Sequence, residues 1–208
     1  MIFGEGMERA QKSRTGIYDE TILCAECDGI LGELDDHAAR TLLQVKGKQY
    51  LFDEASNTML LEYEEAEPEK ISDFAASMAW RASVSNQVFF GRVSLGPYES
   101  VIARAIKGDP DARARIDVFM AEFDREDFGF GNPYSTRIDA VKFLLIQANR
   151  FLFYLKIDKR RTPQYLQPSL LRKGAPVLSL VREWRGSKQA MAMMDLDLIM
   201  PSKRLGAR

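Results

Sequence analysis

The feature that most restricts the fold is an apolar stretch at 138–158, interrupted in its middle by Asn149-Arg150. After this pair, apolar side chains occupy every second position: Phe151, Phe153, Leu155 and Ile157. A period of two is typical of a β-strand. We therefore predict a long hairpin with strands at 138–147 and 151–158. A helix across the same stretch is the competing interpretation.

Helices and shorter strands are predicted on both sides of this hairpin. Proline, glycine and apolar spacing indicate helices at 72–85, 97–108 and 110–123. Strands are predicted at 49–53, 58–63 and 177–184, with a loop at 125–135 and a short helix at 187–194. Because no β-α rhythm repeats, the predicted class is α+β, antiparallel hairpins packed with several helices. A doubly wound parallel sheet is the alternative.

The first third of the chain has a different pattern. Residues 16–34, GIYDETILCAECDGILGEL, predict a strand, a Cys-x-x-Cys knuckle and a second apolar stretch. A helix should follow from Asp35 or Asp36 to about Val45. The acidic run at 62–70 contains a proline and is the best linker candidate. We therefore predict an acidic, knuckle-containing subdomain at 1–70 and an α+β domain at 71–208 with a basic C-terminal third.

Composition excludes several classes of protein. The chain has 208 residues, of which 46% are hydrophobic, enough for a core without disulfides. Its apolar runs are far shorter than the roughly 20 residues that span a bilayer. Two cysteines, three positions apart, are not a disulfide framework and fit a reducing compartment. We therefore expect a cytoplasmic protein with no membrane partner.

The net charge of -1 hides a separation of charge along the chain. Residues 1–70 contain 16 acidic and 7 basic side chains, whereas residues 150–208 contain 4 acidic and 13 basic ones. The two ends could neutralise each other within the fold or across a homodimer contact. Alternatively, each end could dock against a partner. The candidate acidic partner surface is Glu62, Glu64, Glu65, Glu67 and Glu69.

The basic third contains the candidate residues for binding nucleic acid or another partner. Arginine supplies positive charge to a groove for nucleic acid, and aromatic faces stack on bases. Lysine and arginine turned outward for solubility are the alternative interpretation. The basic candidates are Lys156, Lys159, Arg160, Arg161, Arg172, Lys173, Arg182, Arg185 and Lys188, interleaved with Tyr154, Tyr165 and Trp184.

Cys24 and Cys27 have the spacing that holds one edge of a tetrahedral zinc site. One chain could complete the site only with His37, its single histidine, and an aspartate such as Asp28, Asp35 or Asp36. Two chains could instead give two cysteines each. The cofactor is therefore either none or zinc. Two other interpretations stay open: a knuckle that packs its thiols without metal, and a redox dithiol at a helix N-terminus, although neighbouring Glu26 and Asp28 would raise the thiol pKa.

Complete catalytic motifs are absent from the sequence. It contains no Gly-x-Ser-x-Gly elbow and no glycine-rich phosphate loop that opens a helix. His37 lies beside two aspartates and is more simply a residue in the first turn of a helix. The protein is therefore expected to be non-enzymatic.

Several short motifs carry a resemblance to known sequences: GIYDETILCAECD, DDHA, WRAS and LGPYE. On these, the chain resembles an uncharacterised family of bacterial and mobile-element proteins, over about a third of its length. In longer relatives a Ser-His-x-x-Pro-like element precedes the Cys-x-x-Cys, similar to a treble-clef HNH endonuclease. No such element occurs here, and His37 follows the cysteines. The resemblance implies a bacterial or phage setting, in defence or counter-defence.

From these observations we expect an interaction protein that engages a protein or nucleoprotein partner through a charge-segregated surface. The alternatives are a degenerate zinc-knuckle nuclease and a protein that binds nucleic acid directly through residues 150–188.

Overall fold

The computed structural model describes residues 2–3, 19, 21–43, 48–90, 93–124, 130–185 and 187. Within these ranges, eight strands form one mixed sheet, and α-helices pack against one of its faces. The predicted α+β class is confirmed. No helix in the described ranges is long and apolar enough to cross a membrane.

The sheet has the strand order β1-β5-β6-β7-β4-β8-β3-β2. The pairs β1–β5 and β4–β8 are parallel, and the other neighbours are antiparallel. The strands are β1 (Ile2–Phe3), β2 (Lys48–Asp53), β3 (Thr58–Tyr63), β4 (Val118–Phe123), β5 (Phe130–Ile138), β6 (Val141–Ala148), β7 (Phe151–Lys156) and β8 (Val177–Arg182).

The predicted central hairpin is β6–β7, and the helical alternative for this stretch is wrong. Asn149 has a φ of 55° in the turn, a conformation that asparagine tolerates better than most residues. Every residue of β7 from Phe151 to Leu155 is buried. Alternate side chains belong to different apolar clusters, so both faces of the strand need cover.

The helices cover one face of the sheet. They are α1 (Ala25–Leu43), α2 (Pro68–Val84), α3 (Tyr98–Ile106) and the short α4 (Pro110–Arg113). Phe74 of α2 packs edge-on against Phe153 of β7, with ring centroids 5.7 Å apart. On the other face, Leu166 of the 3-10 helix Gln164–Ser169 and the adjacent Leu170 pack against Phe119 and its neighbours.

Two bidentate ion pairs join the helices to one another. Arg81 of α2 donates to both oxygens of Asp35 in α1, at 2.8 and 2.7 Å. Arg113 of α4 donates to both oxygens of Asp73 in α2, at 3.0 and 2.5 Å. Paired N–H donors fix the relative orientation of two groups as well as attracting them. These contacts therefore set the positions of α1 and α4 against α2.

Two predictions in the middle of the chain are wrong. The predicted helix at 110–123 is only α4, and Val118–Phe123 forms β4 instead. All six residues of β4 are buried, so the strand shows no alternation of apolar and polar residues. Residues 130–135, predicted as part of a loop, belong to β5. The rest of that predicted loop, 125–129, lies outside the described residues.

The knuckle predicted around the cysteines is also wrong. Cys24 directly precedes α1, and Cys27 lies in its first turn. The helix α1 includes both the second apolar stretch and the helix predicted from Asp35. Residues 16–18 and 20, the predicted short helix after Ser187, and Lys188 lie outside the described residues.

The two predicted subdomains share the sheet. The predicted boundary at residue 70 falls inside α2. The strand β3, from the first predicted part, pairs with β8, from the second, in the register Tyr63 opposite Val177. The acidic run at 62–70 therefore passes from the end of β3 through a turn into α2.

We predict that Phe153→Ala lowers the free energy of unfolding by about 3–5 kcal/mol, because it removes a fully buried ring that α2 and the sheet share. Phe52→Ala is the matched control, since Phe52 is 56% exposed and its truncation should cost within about 0.5 kcal/mol. Urea denaturation monitored by circular dichroism measures both changes. Equal losses for the two variants would contradict the described packing.

Candidate functional site

The β5–β6 turn holds two arginines close together. Arg137 and Arg160 each donate to the carbonyl oxygen of Ala140, at 3.2 and 2.5 Å. Both arginines are exposed, and Arg160 also lies 3.6 Å from a carboxylate oxygen of Asp158. A neutral carbonyl does not cancel the charge of a guanidinium, so this turn retains positive charge.

Asp158 fixes the segment that carries Arg160. Its carboxylate accepts the backbone N–H of Arg160 at 2.9 Å and that of Lys142 at 3.0 Å. These backbone donors, in that order, hold the pKa of Asp158 below its usual value. The chain after β7 is thereby tied to the start of β6, and the neighbouring Lys159 and Arg161 are exposed.

An aromatic side chain lies at the same turn. The hydroxyl of Tyr165 interacts with the carboxylate of Asp139, and the ring is 38% exposed. Burial, followed by the charge of Asp139, raises the pKa of Tyr165. We call this group the basic corner, defined as Arg137, Lys159, Arg160, Arg161 and Tyr165.

The predicted acidic residues lie at the same end of the sheet as the basic corner, because β3 and β7 run in the same direction. Three strand spacings separate β3 from β7, a distance of about 14 Å. We call these residues the acidic strip, defined as Glu62, Glu64, Glu65, Glu67 and Glu69.

Ion pairs account for only part of the acidic strip. Glu67 pairs with Lys70 at 2.7 Å, within the same helix turn. Glu69 lies 3.9 Å from Lys173, and this contact joins the acidic and basic ends of the chain. Glu64 and Glu65 are exposed in the turn before α2.

The other predicted basic residues do not form one continuous groove. Lys156 is largely buried, with Asp117 at 3.4 Å. Arg172 is exposed in the connection that leads to β8. Arg182 and Arg185 lie at the opposite end of β8, where Arg182 donates to the Tyr154 hydroxyl at 2.8 Å. A six-residue strand is about 20 Å long, so the backbones of these arginines are far from the basic corner, although the charge of Arg182 still acts on Tyr165.

Sequence reasoning missed Arg137. The β5–β6 turn consists of Asp139 and Ala140, which have φ angles of 48° and 67°. Alanine is not a typical residue for positive φ, so the sequence does not indicate this turn, and the predicted loop extends to residue 135. The available signal was Asp139, because aspartate tolerates this conformation better than most residues.

The two cysteines sit at the beginning of α1. The Cys24 carbonyl accepts the backbone N–H of Asp28 at 2.9 Å, the first hydrogen bond of the helix. The nearby backbone N–H of Cys27, followed by its thiol, lowers the pKa of Cys24. The same thiol contact, followed by burial, raises the pKa of Cys27. Neither cysteine is in a disulfide.

The single-chain zinc set is not brought together. His37 lies ten residues after Cys27 on the same helix, about 15 Å along its axis. Asp28 is exposed beside the cysteines, whereas Asp35 is engaged by Arg81. Across the described ranges, no three histidine, cysteine, aspartate or glutamate side chains are grouped as a metal site would need.

His37 instead lines a cleft of about 360 Å³ between α1, α2 and the end of α3. Burial lowers the pKa of His37, and the positive charges of Lys70 and Arg40 lower it further, against Glu67, which raises it. The cleft also contains Asp73, whose carboxylate is occupied by Arg113. Its cations and carboxylates are mixed, so they favour no particular class of ligand.

Comparison with known proteins gives no match: neither the protein families, nor the curated proteins, nor the solved structures contain one. The functional interpretation therefore depends on the geometry of the chain itself.

We predict that the pKa of His37 lies below 6.5 in the folded protein, because its ring is partly buried between two cations. The folded state then binds this proton less readily than the unfolded state, so His37 makes the protein less stable as the pH falls through 6.5. Lys70→Gln should raise the pKa, whereas Lys107→Gln should leave it unchanged. The chain has one histidine, so a proton NMR titration follows a single ring. A pKa above 6.5 would exclude this environment.

Proposed function

We propose that the protein is an interaction protein that engages a nucleoprotein partner, with the basic corner on nucleic-acid phosphates and the acidic strip on a basic protein surface. The observation that carries the proposal is the sharing of the Ala140 carbonyl by Arg137 and Arg160. Neither of these two hydrogen bonds uses a carboxylate, and Arg160 has only a distant one, Asp158 at 3.6 Å, so both guanidinium groups keep donors for phosphate oxygens, which they bind in a bidentate manner.

The neighbours of these arginines support the same function. No carboxylate in the described ranges forms an ion pair with Lys159 or Arg161. Tyr165 offers an exposed aromatic ring near Asp139 of the same turn, and base stacking on such a ring does not depend on sequence. A nucleic-acid contact here would therefore be electrostatic and largely independent of base sequence.

The acidic strip supports a second contact with protein. Carboxylates repel phosphates, so a phosphate backbone that follows the basic corner is expected to turn away from the acidic strip. A basic protein surface next to that backbone would complement the exposed Glu64 and Glu65. The bacterial or phage setting implied by the resemblance fits a partner of this kind.

We predict that the double variant Arg160→Glu and Arg161→Glu weakens binding to a fluorescently labelled single-stranded DNA at least about tenfold at low salt. It should also reduce the slope of log affinity against log salt by about 1.4, since roughly 0.7 is lost for each phosphate contact. Fluorescence anisotropy measures both quantities. The matched control is Lys107→Glu, a charge reversal at an exposed position after α3, which should retain wild-type binding.

The same assay tests the acidic strip. Glu64→Gln with Glu65→Gln removes repulsion and should leave DNA affinity equal or higher. An affinity for DNA that does not change with salt, or that the Arg160 and Arg161 reversals leave intact, would rule out the proposed contact.

A further inference from the structure

The cysteine pair at the start of α1 is not used by the proposed function. Cys24 is exposed and caps a helix of 19 residues, and Cys27 is half-buried three positions later. Side chains three residues apart lie on the same face of a helix, with Cβ atoms about 5–6 Å apart. Cys24 and Cys27 are therefore neighbours at the first turn of α1.

The two sulfurs have different environments. Cys24 lies at the positive end of the α1 macrodipole, a position that stabilises a thiolate. The neighbouring Cys24 sulfur, followed by burial, raises the pKa of Cys27. The charged groups that act on the pair are Glu26, which opposes a thiolate, and Lys107 after α3, which favours one at Cys27. Exposure and the helix end therefore favour Cys24 as the attacking group.

We propose that Cys24 and Cys27 form a redox-active dithiol that exchanges with the disulfide of a second molecule. The Cys24 thiolate attacks one sulfur of that disulfide, which forms a mixed disulfide and releases the other sulfur as a thiolate. Cys27 then loses its proton to solvent and attacks the Cys24 sulfur. This step releases the second thiol, and two electrons have passed to the substrate while the protein holds a Cys24–Cys27 disulfide.

The exposure of Cys24 indicates the kind of substrate. Cys24 opens a helix at the surface and is not a lining residue of the His37 cleft. A small disulfide and a disulfide in a protein loop can therefore both reach it, and they share the same chemistry. The rate of thiol oxidation by oxidised glutathione, compared with the rate by a disulfide-bonded peptide, shows which of these two kinds of disulfide the protein prefers.

The first experiment incubates the full chain with oxidised glutathione and follows its mass and free thiols. We expect wild-type protein to lose two hydrogens and to release two glutathione molecules per chain. Cys27→Ser should instead stop at a glutathione adduct on Cys24. Cys24→Ser should react about tenfold more slowly, because the remaining thiol lacks the helix-end position. Serine is also a good N-cap, so this variant should keep α1 folded.

The variant that carries both Cys24→Ser and Cys27→Ser is the negative control, because the chain has no other cysteine. Zinc content is measured first, on protein purified without chelator. Stoichiometric zinc that protects both thiols would overturn the proposal in favour of a site shared by two chains. A wild-type product that keeps glutathione and forms no internal disulfide would overturn it as well, as would equal rates for the two single variants. None of these outcomes bears on the affinity for DNA, so the thiol experiment and the test of the proposed function can fail separately.

Discussion

The double-sided burial of β7 is the constraint on which the rest of the structure depends. Its residues from Phe151 to Leu155 are buried, and alternate side chains point into opposite clusters. A strand of this kind needs cover on both faces. The helices supply one cover, and the segment around Leu166 and Leu170 supplies the other. With both faces occupied, polar side chains that could contact a partner are left at the ends of the strands and on the outer helices.

This constraint explains which elements could be predicted from sequence. The β6–β7 hairpin was predicted because an alternating run follows Asn149, and a single residue at positive φ is enough for the turn. The strand β4 could not be predicted in the same way. Ile116, Phe119, Met120 and Phe123 have helical spacing, and the single charged residue of β4, Glu122, is itself buried, so no solvent-facing side of a strand is visible in the sequence. Only the pairing of this segment with the neighbouring strands β7 and β8 distinguishes a strand from a helix here.

The N-terminal misassignment has a different cause. Gly29 and Gly32 lower helix propensity by about 1 kcal/mol each relative to alanine, and this favoured a broken, knuckle-like segment. Tertiary contacts outweigh that cost in α1, whose Leu31, Ala38 and Leu42 are buried. Single-sequence reasoning could not include those contacts, because α2 supplies them from beyond the β2–β3 hairpin.

The sequence predicts which charged residues lie on the surface better than it predicts which of them are neighbours. Arg160, Arg161 and the glutamates of the acidic strip were predicted as surface groups, and the structure places them at one end of the sheet. Arg182 and Arg185 were grouped with them because they are near in sequence, yet β8 carries them to the other end. Composition along the chain shows that charges are separated, and the direction of each strand decides which charges are neighbours.

The two proposed sites lie on different layers of the fold, and this separation makes them independently testable. The basic corner depends on the β5–β6 turn and on Asp158, whereas the cysteines depend on the attachment of α1. That attachment combines buried apolar residues of α1 with the bidentate contact between Asp35 and Arg81, and Asp35 lies about two helix turns beyond Cys27. Because a paired contact fixes orientation as well as distance, Arg81 contributes to the direction in which α1 points and therefore to where Cys24 meets solvent.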